Sequence, residues 1–75
     1  MSKTPVLSGL EVVKALRNAG FEIVGRKGSH VRMKRKSENK SSIALVPQHK
    51  ELAIGTLKSI LKQANMNIEE LMELL

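Results

Sequence analysis

Cysteine is absent from this chain, which excludes disulfides, thiolate metal sites and a cysteine nucleophile together. That suits a reducing compartment. Tryptophan and tyrosine are missing as well, and Phe21 is the single aromatic residue. Recognition of unpaired bases by stacking on exposed rings, the habit of RRM and OB modules, needs more aromatic surface than this. No apolar run approaches membrane-spanning length, and the opening MSKTPVLSGL has no apolar core of a secretion signal. The expectation is a soluble cytoplasmic protein with no membrane partner.

The chain has 75 residues, of which 41% are hydrophobic. That supports one domain, residues 1–75, with a small core. A chain this short buries only about 60–65% of its unfolded surface, so it holds little stability in reserve. The net charge is +6, and it is local. Between Arg26 and Lys40 stand seven basic residues against one acid, Glu38, while the rest of the chain is balanced at six and six. A concentrated excess of this kind suits a face turned toward a polyanion, although a solvated surface or an acidic protein partner would also account for it.

Ser8 and Glu11 form the capping-box pattern that opens a helix. Leu10, Val13 and Leu16, with Val12 and Ala19, supply its apolar stripe, and Gly20 suits its end, so a helix is expected over residues 9–19. FEIVGR reads as a short strand with Phe21 and Ile23 on one face, and Lys27-Gly28 as a turn. SHVRMKRK alternates, with Val31 and Met33 pointing one way and His30, Arg32, Lys34 and Lys36 the other. SENKS is a polar loop, and SIALVP is a third strand closed by Pro47. Leu57, Ile60, Leu61 and Ala64 mark the core stripe of a second helix, with Thr56 as its expected N-cap and Lys58 and Lys62 outside. Asn67 and Glu70 suggest a short terminal helix. The order is α-β-β-β-α, an α+β fold whose economical packing is a three-stranded antiparallel sheet with the helices on one face. His30 then lies on the open face.

Histidine occurs only at positions 30 and 49. Pairing Val31 with Pro47, Met33 with Leu45 and Arg35 with Ile43 keeps apolar opposite apolar at two of the three positions. In that register His30 stands opposite Gln48 and beside His49. Such a site could support RNA cleavage. A neutral imidazole removes the proton from a ribose 2′-OH, a second acid protonates the leaving oxygen, and nearby cations stabilise the transition state. Histidine suits the task because its ordinary titration lies near neutrality. On residues alone, an exposed histidine on a basic strand is more often simply a charged neighbour.

GLEVVKALRNAGFEIVGRKGSHVRMKR and IALVPQHKELAIGTLKSILKQANM together resemble the HicA toxins, also called YcfA-like proteins. AGFE, KGSH, VPQHK and GTLKSILKQA follow in the family's order and spacing, and the likeness runs from about residue 8 to residue 71. The resemblance implies a double-stranded-RNA-binding-domain-like fold and a metal-independent mRNA interferase that needs no cofactor or ribosome and arrests growth. It also implies a HicB antitoxin that occludes the active site and binds operator DNA, so the toxin itself meets DNA only through its partner. The family's catalytic histidine corresponds to His30, with Gly28 and Ser29 in the same motif, and the histidine of its PxH piece to His49. Ser29 and His49 are thereby possible auxiliary residues. Many members carry glycine where this chain has Asn65. Lys27, Gly28, Arg32 and Lys34 are the expected RNA contacts.

A non-catalytic module of the same fold, binding duplex RNA by shape and phosphate contacts, is the alternative reading. A helix-turn-helix DNA reader built from the C-terminal segment is disfavoured. Its recognition helix would carry Glu69, Glu70 and Glu73 and no base after Lys62.

Overall fold

A computed structural model describes residues 5–75 of the chain. The elements run α1 (Gly9–Asn18), β1 (Glu22–Lys27), β2 (His30–Lys36), β3 (Ser41–Pro47), α2 (Ile54–Ala64) and α3 (Ile68–Glu73). The three strands form one antiparallel sheet in the order β1-β2-β3, and the helices cover one of its faces. This is the α+β, α-β-β-β-α architecture that the sequence pattern implies, with the short C-terminal helix present.

Local chemistry sets the helix ends. Glu11 donates its backbone N–H to Ser8 Oγ at 3.0 Å, and Ser8 N–H reaches Glu11 Oε1 at 2.9 Å, which completes the expected capping box. Asn67 and Glu70 repeat the arrangement at the start of α3. The exits of α1 and α2 match each other too. Gly20 (φ 98°) and Asn65 (φ 61°) sit in the left-handed region. Phe21 N–H and Met66 N–H reach back to the carbonyls of Leu16 and Leu61, each at 3.0 Å. Asn65 is therefore at a position where glycine is the least strained residue. Thr56 does not cap α2. The helix starts three residues earlier, at Ile54, and its N-cap Ala53 makes no side-chain hydrogen bond.

The core is one cluster between sheet and helices. Leu16, Met33, Leu57, Ile60 and Leu71 are its largest fully buried side chains, each worth about 1.5–3 kcal/mol of transfer free energy. No polar or charged residue among the described ones is buried. Leu10, expected in the α1 stripe, is instead 57% exposed, and the stripe is completed by Gly9, Ala15 and Val12. Phe21 is buried but precedes β1, while Ile23 is partly exposed, so the two do not share a buried strand face. Gly9 lets α1 lie directly on the end of β3. A Cβ there would stand 2.0 Å from the Pro47 carbonyl oxygen, and Gly9 N–H bonds His49 O at 2.9 Å.

The sheet register differs by one residue from the expectation. Val31 pairs with Val46, Met33 with Ala44, and His30 with Pro47. Gln48 N–H bonds Ser29 O at 2.7 Å, so Gln48 lies beside Ser29 and not opposite His30. The loop shortens to residues 37–40, tied by Ser37 N–H to Lys40 O at 2.8 Å. The physical reason lies in β3, where both alternating sets are apolar. The smaller pair, Ala44 and Val46, fits beneath α2, and Ile43 and Leu45 go to the open face.

Candidate functional site

β1 and β2 are joined by a two-residue turn, Gly28-Ser29, one position later than expected. Gly28 has φ 59° and is the first central residue, the pattern of a type II′ hairpin. The turn brings Lys27 directly opposite His30. Further along, a bulge at Val24 lets Gly25 pair with Arg32 after Ile23 pairs with Met33. β2 then alternates as its sequence requires, with Val31 and Met33 buried and His30 and Arg32 exposed.

The open face holds a cavity of about 520 Å³ at this end of the sheet. His30 and Arg32 line it from β2, Arg26 and Lys27 from β1, and Ile43 and Leu45 from β3, with Gly25 between them. Gln63 of α2 reaches round the sheet edge and accepts the Leu45 N–H on Oε1 at 3.0 Å, which ties β3 to α2 beside the cavity. Lys34 and Lys36 line a neighbouring depression with Glu22 and Val24, so the positive face extends along β2. Arg35 leaves this face. Its guanidinium lies 4.8 Å from the Phe21 ring centroid and donates to Ala19 O at 3.2 Å. It braces the end of α1.

Of the expected site residues, the fold gathers His30, Lys27 and Arg32 around one cavity and sets Lys34 beside it. Gly28 and Ser29 form the hairpin tip, and Ser29 contributes its carbonyl to Gln48. His49 lies beyond the end of β3, exposed, with its carbonyl committed to Gly9. His49 follows two residues after Pro47, the strand partner of His30. The cavity lining also includes Gly25, Arg26, Ile43 and Leu45, which the sequence pattern does not single out. Arg26 was visible in the charge cluster, but the two aliphatic residues were assigned to the core because SIALVP is apolar in both phases. Among the described residues, no three His, Cys, Asp or Glu side chains gather as a metal-ligand set, and no helix is long and apolar enough to cross a membrane.

A chemistry follows from the exposed imidazole, the surrounding cations and the open sheet face. A polyanion can lie across β2 without meeting an acidic group other than Glu22 at the cavity edges. A family model described as the HicA toxin of bacterial toxin-antitoxin matches residues 9–66, from the start of α1 to just past α2. No curated protein matches the chain.

Proposed function

The chain belongs to the HicA toxin family, the toxin side of a toxin–antitoxin pair, and from that premise we propose that it is an mRNA interferase with His30 as its general base. The observation that carries the proposal is the position of His30. The histidine of the family's GSH motif lines a cavity together with Arg26, Lys27 and Arg32.

In the proposed reaction the neutral His30 imidazole takes the proton of a ribose 2′-OH. The freed oxygen attacks the adjacent phosphorus, the bond to the 5′-oxygen breaks, and an acid returns a proton to that oxygen. The products are a 2′,3′-cyclic phosphate and a 5′-hydroxyl. Negative charge spreads over the phosphoryl oxygens in the transition state, where Lys27, opposite His30, and Arg32 supply stabilisation. Ser29 and His49 keep auxiliary roles, Ser29 by shaping the turn and His49 through its link to α1. The reaction as written routes no step through a metal or other cofactor. In the cell the toxin acts in the cytoplasm, and a HicB-type antitoxin restrains it by covering the same face.

The deciding experiment uses purified protein and unstructured mRNA without ribosomes. His30→Ala is expected to lower the cleavage rate by about 10²–10⁴ while RNA affinity is retained. Equal cleavage by His30→Ala removes the catalytic assignment. Binding without cleavage by the unaltered protein turns the reading to a non-catalytic RNA-binding module.

A further inference from the structure

Gly25 follows the bulge at Val24, a common place for glycine, but neither its backbone angle nor a close neighbour requires glycine there. Its φ is not in the left-handed region, and a Cβ placed on it meets nothing within 4 Å. Glycine inside a strand weakens the strand, and it often marks the close approach of something else. Here the missing side chain leaves space beside its pairing partner Arg32, within the cavity that His30 lines. The opposite wall is aliphatic, with Ile43 and Leu45 exposed by 39% and 45%. Cations alone would satisfy phosphates. An apolar wall facing a gap calls for a ligand that presents an apolar surface and a negative charge within one unit. A nucleotide with its base unstacked is such a ligand.

Resting on the RNA-cleavage reading of His30, we infer that this cavity is a base-binding subsite. It takes one unpaired nucleobase of single-stranded RNA over Arg32, which stands between Gly25 on β1 and Leu45 on β3. Lys27, opposite His30, meets a flanking phosphate. Duplex RNA is excluded, because its bases are stacked and paired and its surface offers sugar and phosphate. The family resemblance ties this element order to duplex binders, yet this face selects single strands, and it does so with aliphatic side chains in place of the missing aromatics.

The test uses the full chain and short 2′-fluoro RNA, which lacks the attacking hydroxyl and stays intact. Affinity is measured at one salt concentration for three probes: the single strand, its duplex, and a strand of equal length and charge with abasic spacers in place of bases. The unaltered protein is expected to prefer the intact single strand over both others by roughly tenfold or more. Gly25→Val fills the gap and should reduce single-strand affinity to the abasic level, with an unfolding midpoint no lower than the parent's. Equal affinity of the parent for intact and abasic strands overturns the subsite while the RNA-cleavage reading stands. That comparison holds whether or not the variant folds. A folded Gly25→Val that binds like the parent also overturns it. Failure to bind any of the three probes removes the RNA reading and the subsite together.

Discussion

Arg32 and Arg35 lie three residues apart on β2 and do different work. Arg32 is exposed in the cavity, whereas Arg35 is partly buried against Phe21 and Ala19. Alternation along a strand separates them, since residues an odd number apart face opposite sides. Arg32→Ala is expected to lower RNA affinity and to reduce the slope of log affinity against log salt by about 0.7, with stability unchanged. Arg35→Ala should cost about 1–2 kcal/mol of stability, through the lost carbonyl bond and ring contact, and leave the salt slope intact. Salt-dependent binding together with urea unfolding separates the two. If Arg35→Ala changes the salt slope as Arg32→Ala does, the division of the basic strand into two faces is wrong. His30 obeys the same alternation, which is why its exposure could be read from the sequence.

At the scale of elements, local hydrogen bonds determine where helices begin and end. Ser8→Ala and Asn67→Ala each remove a side-chain acceptor from a capping box, and each should cost about 0.5–2 kcal/mol in denaturant unfolding. Asn67→Ala should also loosen the end of the chain. α3 is held to α1 by Asn18 Nδ2 donating to Leu74 O at 2.8 Å. Amide exchange that stays unchanged in α3 would show that the core contact of Leu71 alone holds it. These caps were legible because each depends on residues three apart. The start of α2 was not legible, since Ala53 offers no side-chain signal and the more attractive Thr56 lies inside the helix. The β2–β3 register was misread for a related reason. Ile43, Ala44, Leu45 and Val46 are all apolar, so period-two reasoning has no polar face to lock onto.

At the scale of the molecule, a small core supports a large functional face. The chain offers about 4–11 kcal/mol of total stability by its length. Leu16→Ala, at a fully buried site between α1 and the sheet, should cost about 2–5 kcal/mol. Its thermal midpoint should fall by more than about 10 °C. A shift of only a degree or two would mean that the core closes around the gap. The open face has no such role in stability, so substitutions at His30 or Arg32 should change function and leave the midpoint nearly constant.

The sequence by itself determined the α-β-β-β-α order, the two capping boxes, the local concentration of positive charge and the exposed side of His30. All of these rest on spacings of two to four residues, where backbone geometry leaves few choices. The tertiary structure alone decided which apolar set of β3 entered the core. Packing against α2 chose Ala44 and Val46 by size, and that choice put Leu45 beside Arg32 and Ile43 beside Lys34 on the open face. A one-residue difference in register thus gave the basic strand an apolar wall. The pairing of distant segments depends on volumes that must fit together, and no local pattern in the chain records them.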